Sequence, residues 1–211
     1  MSLDSFDASP HPAQAAGATL ADVAAAASGC ELCKLAAGRT HVVFGVGRPD
    51  ADLLFVGEGP GEQEDLRGEP FVGRAGQLLT QLIEGIGLTR DDVYIANVVK
   101  CRPPGNRDPH PDEIDACAPW LDRQLSLIQP RVIVTLGNFA TKLLVDTKEG
   151  ITKLRGREFA FERAGVDAAL LPTLHPSAVL RSGGKALAEA RSDFVRVKRA
   201  LARTGPPFPP T

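Results

Sequence analysis

The sequence predicts an α/β fold: a three-layer α/β/α sandwich around a central, mostly parallel sheet of four strands. Three observations carry that expectation. Four short apolar runs, at 52–57, 93–98, 131–136 and 169–174, each end in or run straight into polar residues or glycine, as strands buried on both faces do. Segments with apolar residues at helical spacing lie between them, and strand–helix alternation builds parallel sheets. The chain has 211 residues, 43% of them hydrophobic, which is enough for one core of ordinary domain size.

Taken in order, the first run is DLLFVG at 52–57, which passes into the glycine-rich turn GEGPGEQE at 57–64. A helix follows over 75–86, where Leu78, Leu79, Leu82, Ile83 and Ile86 fall on one face and Gly87 stands just past the end, a favoured place for glycine. The second run, VYIANV, carries Asn97 near its end and leads into a proline-stiffened basic loop, KCRPPGNR at 100–107. Helical spacing resumes over 112–128, then comes the third run, RVIVTL, with a helix over 138–145. The fourth run, ALLPTL, is followed at once by His175, and a last helix is expected over 186–202.

Ligands of open parallel sheets collect beyond the carboxyl ends of the strands. Glu58, Asn97 and His175 follow the first, second and fourth runs, so three chemically useful side chains are expected on one rim. The GEGPG turn is neither a Walker A loop, since no Gly-Lys-Ser/Thr follows, nor a G-x-G-x-x-G dinucleotide turn. Its glycines let a backbone approach a bound ring or a phosphate closely. Phe71, held in a glycine-rich loop of a chain with 5% aromatics, reads by default as a core residue, and as a loop residue near a pocket it can also stack on a flat ring.

Residues 1–18 contain no basic n-region and no continuous apolar stretch, so they read as a disordered leader rather than a signal peptide. A single domain is expected over 19–203, with a proline-rich tail at 204–211. The alanine-rich stretch up to Ala27 is compatible with helix or coil. No apolar run reaches the roughly 18 residues of a membrane span, and the expectation is a cytoplasmic protein. A net charge of -2 offers no global attraction to nucleic acid, so any DNA contact requires a local basic patch.

Cys30, Cys33, Cys101 and Cys117 are the only cysteines. In a reducing compartment four thiols favour a metal over disulfides. The first two form C-x-x-C, and the later pair brackets the loop 102–111, so one S4 site would pin the N-terminal part of the chain to that loop. Zinc and a [4Fe–4S] cluster both accept four thiolates, and spacing alone does not choose between them.

The stretches GEGPGEQE at 57–64, PFVGRAG at 70–76, NVVKCRPPGNR at 97–107 and HPS at 175–177, with the four cysteines, resemble the family 4 uracil-DNA glycosylases. These are the iron–sulfur branch of the uracil-DNA glycosylase superfamily. The resemblance implies an enzyme that flips uracil from single- or double-stranded DNA into a pocket and hydrolyses its N-glycosidic bond. By similarity Phe71 stacks on the base, Asn97 reads its edge, Glu58 and Gly59 contact it through the backbone, and His175 donates to O2. The water-activating Asp of the best-known branch is replaced by Gly59, which leaves Glu58 or Glu64 to orient water, with Glu64 a candidate for keeping out the thymine methyl.

Leu180 is the expected wedge into the duplex, with Arg181, Arg102 and Arg107 near phosphates. The metal implied is a structural [4Fe–4S] cluster on Cys30, Cys33, Cys101 and Cys117, with zinc as the alternative. A monomer in the cytoplasm, associated with the nucleoid and not with membrane, completes the expectation. Two other readings remain open. His110 stands in a loop where a related branch uses a histidine to trap the abasic sugar covalently, and a non-catalytic zinc-braced DNA-binding module would also need the cysteines.

Overall fold

The structure, a computed structural model, describes residues 11, 13 and 17–203. Most of the leader and all of the tail at 204–211 lie outside the described residues. The helices are α1 (Leu20–Ser28), α2 (Glu62–Arg67), α3 (Arg74–Glu84), α4 (Pro111–Ile128), α5 (Asn138–Val145), α6 (Ile151–Leu154), α7 (Pro176–Ser182) and α8 (Gly184–Leu201). The strands are β1 (Val46–Gly47), β2 (Leu53–Gly57), β3 (Tyr94–Asn97), β4 (Val132–Leu136), β5 (Phe159–Arg163) and β6 (Val166–Thr173). The stretch before Ala27, left open by sequence, is helix α1: Thr19 and Asp22 cap it reciprocally, and Val23 and Ala27 are buried.

One mixed sheet runs in the order β1-β3-β2-β4-β6-β5. The four strands expected from sequence form its parallel centre, β3-β2-β4-β6. Among the described residues the expected count of four is corrected to six by an antiparallel strand at each edge. Neither edge strand carries a fully apolar run: β1 is two residues long, and β5 is only partly buried. Ala164 and Gly165, both with positive φ, close the tight β5–β6 turn in the way that matches strand twist.

Alternation along the strands supplies both cores, because successive side chains point to opposite faces. Leu54, Val56 and Ile133 pack beneath α1 and α4 with Val23, Trp120 and Leu125. Leu53, Phe55 and Val134 face α3, α7 and α8 with Leu79, Ile83, Val179 and Phe194. Helices therefore cover both faces, which gives the expected three layers. Gly57 pairs in register with Asn97, so β2 and β3 end level with each other at the rim.

Candidate active site

The carboxyl ends of β2, β3, β4 and β6 open into one cleft of about 1010 Å³, lined among others by Glu58, Phe71, Asn97, Asp108, His175 and Arg181. Sequence-predicted residues from three strand ends therefore do share a cavity. Close approach of the backbone makes this possible. A Cβ on Gly57 would stand 2.4 Å from Asn97 Oδ1 and 2.8 Å from the Phe71 ring, and one on Gly59 would meet Val99 Cγ2 at 2.8 Å.

Asn97 is 1% exposed, and its Oδ1 has no hydrogen-bond partner. A buried acceptor left unpaired costs on the order of 1–3 kcal/mol, so this oxygen awaits a donor from whatever enters. The main chain beneath it is fixed. Lys100, itself buried, donates from Nζ to Asn97 O at 2.7 Å and to Gln124 Oε1 at 2.5 Å, and Gln124 Nε2 in turn donates to Phe44 O at 2.8 Å. Burial pushes the Lys100 ammonium down to about 8. Lys100 was read from sequence only as one cation of a basic loop; the signal that distinguishes it, burial, is visible only in the fold.

His175 is the N-cap of α7, and its Nδ1 accepts the Ser177 backbone N–H at 3.2 Å while lying 2.8 Å from Ser177 Oγ. An Nδ1 that accepts leaves the ring proton on Nε2. Burial first, then the charge of Arg181, lowers its pKa to about 4, so the ring is a neutral donor at physiological pH. Gly137 lets it sit close, since a Cβ there would be 2.8 Å from His175 Cβ.

The Phe71 ring lies 5.7 Å from the His175 ring at a 34° tilt. Its backbone has φ 55°, a strained value for a bulky residue, and two side chains hold it there. Arg90 donates to Pro70 O at 3.0 Å and to Phe71 O at 3.3 Å. Glu64 Oε1 accepts the backbone N–H groups of Val72 at 3.0 Å and Gly73 at 3.1 Å. Gly76 completes the fit, because a Cβ there would fall 1.6 Å from Phe71 O. Glu64 thus lines the cleft and at the same time clamps the Phe71 loop, a role not read from sequence. Arg90 was missed altogether.

Glu58 is half-buried at the head of the glycine turn. Burial, then the neighbouring Asp108 carboxylate, raise its pKa to about 7. Asp108 was not singled out by sequence. It is presented by a braced loop: Arg107 donates to Asp108 O at 2.9 Å and grips the fully buried Glu113 carboxylate at 2.6 and 2.8 Å. Hydrogen bonds from Arg107 hold Glu113 down to about 2.

The predicted basic residues therefore divide. Arg107 is committed to Glu113, and Arg102 donates to Asn106 Oδ1 at 2.8 Å with Glu62 at 3.9 Å. Arg181 lines the cleft and has no ion-pair partner among the described residues. Leu180, 42% exposed, projects beside it. His110 is exposed at the start of α4 with its N–H on Glu113 Oε2 at 2.8 Å, and it is not among the residues lining the cleft.

Away from the cleft, Cys30, Cys33, Cys101 and Cys117 line one small void with Arg39, Lys100 and Trp120. The Lys100 backbone N–H donates to Cys117 Sγ at 3.3 Å, and Arg39 Nη1 lies 3.6 Å from Cys101 Sγ. Burial pushes the Cys117 thiol up to about 11 and raises that of Cys101, so these sulfurs become thiolates only beside a strong positive charge. Among the described residues no three such ligands close on a single metal ion. Four thiols around one void, with the Lys100 N–H and the Arg39 guanidinium beside two of the sulfurs, suit a thiolate-bound metal group that carries negative charge.

A parallel-sheet rim bearing an unpaired carboxamide, an aromatic plate and a neutral imidazole donor defines a protein that receives a flat heterocycle. Residues 44–201 match the uracil DNA glycosylase superfamily. The chain is 52% identical over 156 residues to the type-4 uracil-DNA glycosylase of Sulfurisphaera tokodaii, covering 72% of this chain and 71% of that one. It is 42% identical over 192 residues to the type-4 enzyme of Archaeoglobus fulgidus (89% and 96%), and 46% identical over 178 residues to that of Thermotoga maritima (83% and 91%). The chain belongs to the uracil-DNA glycosylase superfamily, in its type-4 branch.

Proposed function

We infer that this chain excises uracil from DNA, and that the cleft receives the flipped base. The observation that carries this reading is the buried, unpartnered Asn97 Oδ1 in the same cleft as a neutral His175. Uracil presents N3–H as a donor and O4 as an acceptor. Asn97 accepts the first and donates to the second, whereas cytosine offers the reverse pattern and leaves both amide atoms mispaired. Phe71 stacks on the ring. His175 Nε2–H donates to O2, where negative charge gathers as the bond from C1′ to N1 breaks with its electron pair on the base. A fixed donor of this kind is worth roughly 3 kcal/mol in the transition state.

Water then bonds to C1′, held by the Glu58 carboxylate, which takes a water proton and returns it to the departing uracil anion. Backbone groups at Glu58 and Gly59 flank the ring. Glu64 acts by holding the Phe71 loop; in that place it also narrows the pocket against a 5-methyl group. Leu180 fills the gap in the duplex and Arg181 meets a phosphate, while Arg102 and Arg107 brace the loop 102–111 against the strand.

Cys30, Cys33, Cys101 and Cys117 would hold a [4Fe–4S] cluster, which when bound cross-links the segment after α1 to the strand-end loop and α4. The protein acts as a monomer in a reducing, nucleoid-containing compartment. No helix among the described residues is long and apolar enough to cross a membrane. His110, outside the cleft, is poorly placed to trap the sugar, so hydrolysis is favoured over a covalent adduct. The test is release of free uracil and formation of alkali-labile sites in uracil-containing single- and double-stranded oligonucleotides; metal-replete, folded protein that binds such DNA without liberating the base would overturn the reading.

A further inference from the structure

One buried lysine stands between the cleft and the cysteine site. Asn97 at the rim and Cys101 at the small void are separated only by Val98, Val99 and Lys100, all three of them buried. The segment has little slack. Val98 N–H donates to Gly57 O at 2.9 Å and Val99 N–H to Glu58 O at 3.1 Å, while Val43 N–H donates to Lys100 O at 2.8 Å.

Lys100 divides its own donors between the two sites. Its backbone N–H donates to Cys117 Sγ at 3.3 Å, whereas its Nζ donates to Asn97 O at 2.7 Å and to Gln124 Oε1 at 2.5 Å, with the centre of the Phe44 ring 5.8 Å away. Gln124 is itself held. Fully buried on α4, the helix that also carries Cys117, it donates to Phe44 O at 2.8 Å and to Tyr94 Oη at 3.3 Å. A buried ammonium is costly unless its hydrogen bonds are made, so these partners keep their places together.

We propose that Lys100 is a positioning residue that couples base reading to the cysteine site: with Cys101 and Cys117 committed to a metal group its main chain is fixed, and its ammonium in turn fixes the Asn97 carbonyl. This rests on the readings of the cleft as a uracil-excising site and of the four thiols as a metal site. The coupling runs both ways, because two sites that bias one shared element do so reciprocally. A uracil held by Asn97 therefore steadies the cysteine site as well.

The test reads the metal rather than catalysis. Metal-loaded protein is titrated with an iron chelator, and the concentration that removes half of the visible absorption is compared on two oligonucleotides of one sequence. One carries a uracil made uncleavable by an arabino fluorine at C2′, the other an abasic site. Both cover the same protein surface, but only the first bonds Asn97. The uracil strand should raise that concentration at least about fivefold over the abasic strand, the lower end of ordinary coupling between sites. In Lys100→Met, which keeps the length of the side chain and deletes its donor, the two strands should protect equally. Gln124→Leu, which loosens the same ammonium without removing it, should shrink the difference in the same direction and serves where Lys100→Met does not fold.

A lysine with a merely structural role would weaken metal retention alike on both strands and leave the difference between them intact. Equal protection by the two strands in wild type, or a difference undiminished in the folded variants, overturns the coupling. Wild-type protein that holds no metal would overturn the reading of the thiols and the coupling with it, whereas absence of uracil release by metal-loaded wild type would overturn the function assigned to the cleft.

Discussion

Replacing Gly57 with alanine adds one methyl group at the most crowded point of the cleft. That methyl would lie 2.4 Å from Asn97 Oδ1 and 2.8 to 2.9 Å from the Phe71 ring, about 1 Å inside an ordinary van der Waals contact. Neither neighbour can yield freely. Asn97 is tied through its own carbonyl to Lys100, and Phe71 sits on a loop clamped by Arg90 and Glu64. The amide and the ring must therefore retreat into the space meant for the base. A misplacement of about 1 Å costs roughly 100-fold in rate, whereas overpacking costs about 1–3 kcal/mol of stability, a Tm loss of roughly 5 °C in a domain of this size. Single-turnover uracil release, with Tm measured in parallel, separates the two effects. A folded Gly57→Ala protein within about threefold of wild-type activity would refute the placement of Asn97 and Phe71 around the base.

The clamp makes a graded prediction: Glu64→Gln keeps an oxygen that can accept from Val72 and Gly73 and should lose less than about tenfold, whereas Glu64→Ala frees the loop and should lose on the order of 100-fold. The opposite order in kcat/KM would return Glu64 to a water-orienting role. Arg90→Ala should raise KM and lower kcat together, with Arg90→Lys restoring part of both. His175, whose folded pKa of about 4 lies below the unfolded value near 6.5, takes up its proton first in the unfolded chain; stability is therefore retained above pH 6.5 and falls by up to about 3 kcal/mol as pH drops toward 4. Denaturant titrations across that range should show a shallower slope in His175→Gln, and an unchanged slope would exclude burial of a neutral ring. Cys117→Ser should give a colourless, less stable protein where anaerobically purified wild type is brown and contains iron; a zinc-loaded, fully stable wild type would count against the cluster.

The parallel centre of the sheet was legible because burial on both faces leaves runs such as LLFV and VIVT with no polar alternation, and each is followed by its helix. β5 was not legible. As an edge strand it is only partly buried, and its pairing depends on β6 extending back to Val166, which no local pattern marks. The rim was legible for a different reason. Asn97 and His175 follow strand ends, and strand order alone sends them to the same side of the sheet. What sequence could not give was the division of labour among charges. Arg107, Arg102 and Arg181 look alike on paper, but only the fold reveals that Arg107 is spent on buried Glu113 while Arg181 stays unpaired at the cleft.

Lys100 and Arg90 carry the same lesson further. Each looks like a surface cation until the fold shows it bonded to main-chain carbonyls, Asn97 O for one and Pro70 and Phe71 O for the other. The site thus keeps its reactive atoms unsatisfied while saturating the backbone that carries them. Asn97 Oδ1 has no partner, yet its own carbonyl is bonded; Phe71 bears a strained φ, yet the Pro70 and Phe71 carbonyls and the Val72 and Gly73 amides are engaged. Such an arrangement places the cost of preorganisation in folding rather than in binding. Weakening the supports should then lower activity before it lowers affinity for abasic DNA, since the product lacks the base that these atoms await.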